Sequence, residues 1–147
     1  MLDRIKQFFA TGGDAGQDRE AALHLAAALL LVEVAKADHA YDEREVQRVR
    51  DSLAREWTLS ESELDDLVAV AEDRSEEAVS LHDQVAQING HFSPRQKFDL
   101  VRGLWSVACA DGEIHPQEEL LVRRLADLIR VSHSDFIRAK HQALGDR

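Results

Sequence analysis

The chain has 147 residues and a formal net charge of −10, and both values limit what it can be. A chain of this length makes one ordinary domain, which buries roughly 70% of the surface that its unfolded form exposes. The negative charge opposes binding to a phosphate backbone, so we expect no nucleic-acid partner, and it favours cations. The single cysteine, Cys109, excludes an intramolecular disulfide and fits a reducing compartment, so a cytoplasmic protein is expected.

Residues 1–13 are predicted to form an amphipathic arm, ahead of a single domain over residues 14–147. The arm carries a narrow apolar stripe made of Leu2, Ile5, Phe8 and Phe9. Arg4 and Lys6 flank this stripe, which could dock on the domain or make a weak peripheral contact with a membrane surface. We expect docking, because one short helix buries too little apolar surface for stable anchoring. No export signal is recognised, and no run approaches the ~20 apolar residues of a membrane span.

The remaining sequence has a helical pattern throughout, which predicts an all-α bundle of about seven or eight helices. Residues 18–37 are rich in Ala and Leu and apolar on nearly every side, as is typical of a buried central helix. Ser60 with Glu63 has the spacing of a capping box, and Ser93 precedes a proline suited to the first helical position. Ser75 is predicted to begin a further helix that ends at residues 89–90.

A short acidic phrase occurs twice, as AKADHAYDEREV at residues 35–46 and as ACADGEIHPQEE at residues 108–119. The similarity continues downstream into a second predicted helix start after each phrase. A repeat of this length is typical of two copies of one supersecondary unit packed together. We therefore predict that residues 29–71 and 102–144 are two repeat halves related by an approximate twofold axis.

Each phrase carries an aspartate followed seven residues later by a glutamate, as Asp38 and Glu45 in the first and Asp111 and Glu118 in the second. This spacing matches the fifth and twelfth positions of a calcium-binding EF-hand loop. The first half of that motif is absent, so each phrase supplies half a loop. Two phrases facing each other would supply four carboxylates. These four residues are therefore our predicted site for a divalent cation, calcium first, with magnesium or manganese as alternatives.

A metal-free explanation exists for the two glutamates. Asp42 and Glu45 have the spacing of a helix start, and Glu118 follows two residues after Pro116 at another predicted start. Capping and the positive end of the helix dipole would then account for both glutamates. The two aspartates are harder to explain in this way. Each follows a long apolar helix, where the dipole makes a carboxylate unfavourable by roughly 0.3–1 kcal/mol.

The phrase A-x-A-D-G-x-I-x-x-x-E closes a helix that contains Leu104 and Trp105, and an amphipathic helix and a Ser-capped helix follow it. This arrangement resembles the TerB-like domain of the tellurite-resistance family, which is related to a domain preceding the J-domain in some membrane-bound co-chaperones. The resemblance extends over residues 21–144, with His39 as a departure where the family has glycine. It implies a bundle of two related halves, an acidic metal-binding cluster and a role in stress response or protein interaction. The residues that match the acidic cluster by position are Asp38, Glu45, Asp111 and Glu118.

No motif in the sequence indicates catalysis, because it has neither a nucleophile turn nor a glycine-rich phosphate loop. Cys109, Asp111 and His115 are close in sequence, but they lack the paired ligand spacings of a zinc site. We therefore predict a non-enzymatic stress-response or regulatory protein with a cation-binding acidic cluster. The alternative is a metal-independent interaction module, similar to the co-chaperone domains, whose acidic surface engages a basic protein partner.

Overall fold

The computed structural model describes residues 15–37, 41–76 and 80–145. Within these ranges the chain is entirely helical, with seven helices and no strand, so the all-α prediction is confirmed. The helices are α1 (Ala15–Ala35), α2 (Glu43–Glu56), α3 (Glu61–Glu76), α4 (His82–His91), α5 (Pro94–Ala108), α6 (Pro116–Leu128) and α7 (His133–Gly145). None of these helices is long and apolar enough to cross a membrane. The predicted arm, residues 1–13, lies outside the described residues.

Helix α1 is the centre of the hydrophobic core. Its residues from Leu25 to Ala35 are buried, except for the half-buried Glu33. It packs against α2, α3, α4, α5 and α6, so most of its circumference meets other helices. A helix surrounded in this way has no need of a polar face, which explains its apolar sequence and confirms the prediction of a buried central helix.

Helix α5 is the second organising element, and its Trp105 joins it to α7. The Trp105 side chain is completely buried, and its ring lies 5.0 Å from that of Phe136, centroid to centroid. The indole Nε1 donates a hydrogen bond to the Phe136 carbonyl oxygen at 3.2 Å. A buried indole whose N–H has a partner contributes apolar area without the cost of an unsatisfied donor.

Two of the predicted helix starts are confirmed by their hydrogen bonds. At α3, Glu63 N donates to Ser60 Oγ at 3.1 Å, and Ser60 N donates to Glu63 Oε1 at 3.0 Å. At α5, Ser93 and Gln96 form the same reciprocal pair at 3.1 and 2.9 Å. Each box satisfies backbone donors that the first turn of a helix leaves without an intrahelical partner.

The prediction that one helix runs from Ser75 to residues 89–90 is wrong. Ser75 lies in the last turn of α3, where its hydroxyl donates to Glu33 Oε1 of α1 at 2.8 Å. Helix α4 begins at His82 and continues through Gly90 to His91. The serine therefore makes a tertiary contact between helices, and the glycine does not end its helix.

The helix boundaries recur at paired positions of the repeated acidic phrase. Helices α1 and α5 end at Ala35 and Ala108, which the alignment of the two phrases pairs. Helices α2 and α6 begin at Glu43 and Pro116, which the same alignment pairs. The order of a long helix, a loop and two further helices is thus the same in both halves, and the twofold relation between them stays a prediction.

Candidate cation site in the repeat loops

Glu45 and Glu118 are the two buried charged side chains of the described part of the chain, with exposed fractions of 5% and 2%. Each is the third residue of its helix, α2 or α6, near the end of an acidic phrase. A glutamate is almost never fully buried unless its charge is compensated by a cation or by hydrogen-bond donors. Burial of this kind at the same position of both halves makes this pair the centre of the candidate site.

In the first loop, Asp42 is the residue that caps α2. Its Oδ1 accepts hydrogen bonds from Arg44 N at 3.0 Å and from Glu45 N at 3.3 Å. The Arg44 guanidinium donates to Asp42 Oδ2 at 3.0 Å, and this hydrogen bond is the main reason why the pKa of Asp42 is lowered. The predicted helix start at Asp42 is therefore confirmed. Asp38, the first predicted ligand, lies outside the described residues, so its place in the site stays a prediction.

In the second loop, Asp111 holds the turn between α5 and α6. Its Oδ1 accepts from Glu113 N at 3.0 Å, and its Oδ2 lies 3.1 Å from His115 Nε2. Gly112, between Asp111 and Glu113 in the chain, has φ +92°, a left-handed conformation that favours glycine. The hydrogen bond from Glu113, followed by that from His115, lowers the pKa of Asp111, which keeps this carboxylate ionised. The loop therefore presents a preoriented negative charge with an imidazole beside it.

The two loops are electrostatically connected through Arg44. The pKa of Arg44 is raised, mainly by its hydrogen bond and charge interaction with Asp42, and the charge of Asp111 adds to this effect. In return, the Arg44 charge contributes to the lowered pKa of Asp111. Because α2 and α5 pack against each other, the start of α2 lies near the loop that follows α5. This charge interaction links Arg44 of the first loop with Asp111 of the second, while the facing of the two phrases stays a prediction.

Tyr41 is a further member of the first loop, directly before Asp42. Its hydroxyl oxygen is buried. Burial raises the pKa of Tyr41, and the neighbouring carboxylates of Glu72 and Glu45 raise it further. The phenol is therefore neutral, and it lies near Glu72 of α3 as well as near the buried Glu45. No sequence pattern identified Glu72, because this residue lies outside both acidic phrases.

Among the described residues, no three His, Cys, Asp or Glu side chains converge closely enough to hold a metal ion. Glu45, Asp111 and Glu118 thus do not form such a group by themselves. Asp38 lies outside the described residues, so the four-ligand site stays a prediction. Cys109 is buried, and its thiol lies 3.6 Å from the Ser106 carbonyl oxygen. Cys109 therefore faces the core, as is typical of a small buried helix residue. His115 instead pairs with Asp111.

These features define an all-helical domain with two acidic loops at matching positions. The chain belongs to the TerB family: the family model described as tellurite resistance protein TerB matches residues 24–141. The resemblance inferred from the acidic phrase is thereby confirmed. Neither a curated protein nor a solved structure matches the chain.

Proposed function

We propose that this TerB-family chain is a non-enzymatic, cation-responsive domain that acts in a cytoplasmic stress response. The observation that carries the proposal is the burial of Glu45 and Glu118 at the same position of the two repeated acidic phrases. The family description, tellurite resistance protein TerB, supports the choice of a stress response. The proposed cation ligands are Asp38, Glu45, Asp111 and Glu118.

The chemistry of the donor set fits a hard divalent cation. Calcium takes six to eight oxygen ligands, and carboxylates supply oxygens together with the negative charge that the cation neutralises. Asp111 stands ionised at the loop, while Glu118 stands buried at the start of α6. A bound cation would neutralise the negative charge that these two carboxylates contribute, and magnesium or manganese are the alternatives.

Regulation in this proposal comes from the two repeat halves, residues 29–71 and 102–144. Their identical helix order and matching boundaries support an approximate twofold relation between them. A cation shared by the two loops would fix the orientation of one half against the other. The surfaces that depend on this orientation would then be available to a protein partner only in the loaded state.

Calorimetric titration with calcium, magnesium and manganese tests the proposal. The parent should bind at least one of these cations, and Asp111→Asn and Glu118→Gln should each weaken binding by about tenfold or more. Glu113→Gln is the matched control, because it removes an exposed carboxylate of the same loop that is not a proposed ligand. An equal loss in all three variants would indicate a diffuse charge effect and would contradict a defined site.

A metal-independent interaction module is the second candidate, and an exposed surface on α6 favours it. Leu120 and Leu128 are the exposed large apolar side chains of the described residues, at 61% and 47%. They are eight residues apart, which places them on one face of the helix, with the exposed Arg124 between them. Binding of a protein partner that is lost in Leu120→Lys and unchanged by chelator would favour this second function over the first.

A further inference from the structure

A cleft of about 360 Å³ lies between α2 and α5, in the size range of small-ligand sites. Its floor is apolar and consists of Ala27, Leu31, Leu53, Leu100 and Gly103. Of the proposed cation ligands, none within the described residues lines this cleft. It is therefore a separate feature from the repeat loops, and nothing in the proposed function uses it.

The two helices that form the cleft run antiparallel, which gives it two chemically different ends. Arg48 Nη1 of α2 donates to Ser106 Oγ near the end of α5 at 3.1 Å. Further along, Gly103 faces Ser52 so closely that a Cβ on the glycine would lie 2.9 Å from the serine Oγ. Glu56 at the last position of α2 then lies at the opposite end from Arg48. One end of the cleft is consequently basic and the other carries a carboxyl group.

The acidic end holds two carboxyl groups from different helices, Glu56 of α2 and Asp99 of α5. Burial raises the pKa of Glu56, and the charge of Asp99 and a hydrogen bond between the two carboxyl groups raise it further. The Gln96 side chain and the Arg95 charge act in the opposite direction. Arg102 Nη2 lies 3.7 Å from the Asp99 carboxylate and holds it in place. Burial and the neighbouring Asp99 charge thus disfavour ionisation of Glu56 at this end of the cleft.

Aromatic rings form the wall beside this carboxyl pair. Trp57 and Phe92 both line the cleft, with their ring centroids 6.0 Å apart in an edge-to-face arrangement. The His24 ring supports Trp57 from behind at 4.4 Å, and burial lowers the pKa of His24, so that it brings no competing charge. Aromatic faces next to carboxylates suit a cation that is carried on an apolar stem.

We infer that this cleft binds an organic monocation, an alkylammonium or guanidinium head at Glu56 and Asp99 with its apolar stem against Trp57 and Phe92. The head lies between these two carboxyl groups, which both line the cleft, and the charge of −10 on the chain attracts such ligands. Arg48 at the opposite end repels a second positive charge, so the cleft selects monocations over diamines. A free amine and the Lys or Arg side chain of a protein share this chemistry.

Three ligands with the same stem test the charge selectivity: hexylammonium, hexane-1,6-diammonium and hexanoate. In the ¹⁵N-labelled full chain, hexylammonium should shift the indole N–H signal of Trp57. The signal of Trp105 should stay in place, because that indole is buried and bonded to Phe136 in α7. The diammonium should bind about tenfold more weakly, and hexanoate should leave both signals in place. Equal shifts with hexanoate and hexylammonium would overturn the proposal.

Two variants test the carboxyl pair, and each uses the Trp105 signal as its check that the fold is intact. Glu56→Gln and Asp99→Asn should each weaken hexylammonium binding by about tenfold. Glu76→Gln removes an exposed carboxylate at the end of α3, outside the cleft, and should bind like the parent. Unchanged binding in both cleft variants, with the fold intact, would overturn the proposal.

A capped peptide with a single lysine separates the two sources of the ligand. If it shifts Trp57 at lower concentration than hexylammonium, the cleft recognises a side chain of a protein partner. If hexylammonium binds and the peptide does not, the cleft takes a free amine. Both results support an organic-cation site, whereas failure of both ligands to shift Trp57 contradicts it. Cation binding at the repeat loops is measured separately, so either proposal can fail alone.

Discussion

His115 Nε2 lies 3.1 Å from Asp111 Oδ2, across the turn that joins α5 to α6. The other oxygen of this carboxylate accepts the hydrogen bond from Glu113 N. Both oxygens of the proposed ligand are therefore engaged within their own loop. A divalent cation that binds Asp111 has to displace the imidazole, which makes His115 a built-in competitor.

The first prediction follows from this competition. His115→Ala should tighten calcium binding several-fold at pH 6 and have a smaller effect at pH 8, because the protonated imidazole holds the carboxylate more strongly. Calorimetric titration at the two pH values measures the difference. His91→Ala, an exposed histidine at the end of α4, is the control. The same pH dependence in the parent and in His115→Ala would contradict competition at Asp111.

The helix boundaries around the loops could be predicted from the sequence because of the repeat. Contacts between helices that are distant in sequence could not be predicted. Ser60 caps α3 as predicted, because a capping box is local and its partners are three residues apart. Ser75 did not start a helix, because its hydroxyl bonds Glu33 of α1, a contact that no local pattern shows.

The candidate site was predictable in part for the same reason. The spacing of Asp111 and Glu118 identified both residues, but the depth to which Glu118 is buried depends on how α6 packs. The role of His115 followed only from the geometry of the turn. The pairing of Glu56 with Asp99 joins polar positions of two helices that are far apart in sequence, so no local pattern indicates it.

The second prediction tests the close approach of α2 and α5. Gly103→Ala places a Cβ 2.9 Å from Ser52 Oγ and 3.1 Å from Ser52 Cβ, and should lower the free energy of unfolding by about 1–3 kcal/mol. In a Ser52→Gly background the clash is absent and the helix propensity of alanine should make the same change neutral or stabilising. Denaturant unfolding of the parent, the two single variants and the double variant measures the sign of the Gly103→Ala effect in each background. An equal cost in both backgrounds would contradict the contact.

The third prediction concerns Arg130, the non-glycine residue with a positive φ (63°) in the described part of the chain. It ends α6 in a Schellman motif, in which Val131 N donates to Ala126 O and Arg130 N to Asp127 O, both at 3.0 Å. Arg130→Gly should relieve backbone strain and raise the free energy of unfolding by up to about 1 kcal/mol.

The matched control is Arg124→Gly in the exposed middle of α6, which should lower the free energy of unfolding by about 1 kcal/mol. Thermal unfolding of both variants and the parent makes the comparison. If Arg130→Gly destabilises the chain as much as Arg124→Gly does, the prediction is wrong. The Arg130 side chain would then stabilise the fold by more than its positive φ destabilises it.

The fourth prediction is a pH dependence from Glu56. Its pKa is raised in the folded state, so the folded chain binds more protons than the unfolded chain between the two pKa values. The contribution of Glu56 to stability therefore increases as the pH falls through the folded pKa, and it becomes constant below the unfolded one. Glu56→Gln should be more stable than the parent at pH 7, by well under 1 kcal/mol because solvent screens the pair.

Denaturant midpoints of the parent and Glu56→Gln, measured between pH 3 and pH 8, test this dependence. The difference between the two proteins should shrink as the pH falls. Glu76→Gln, with its carboxylate at the exposed end of α3, is the control and should show no such convergence. A parent that is more stable than Glu56→Gln at pH 7 would mean that Glu56 is ionised and favourably paired in the folded state.

The melting temperature of the parent with calcium and with chelator is the most direct measure of the central claim. A cation at 100 times its dissociation constant stabilises the folded state by about 2.7 kcal/mol, which raises the melting temperature of a chain of this size by roughly 5–10 °C. This rise should appear in the parent and shrink in Asp111→Asn and Glu118→Gln. In chelator, Asp111→Asn should not melt above the parent, because the hydrogen bonds from Glu113 and His115 stabilise the ionised Asp111. Superimposable melting curves of the parent in calcium, magnesium, manganese and chelator would contradict a cation site in the repeat loops.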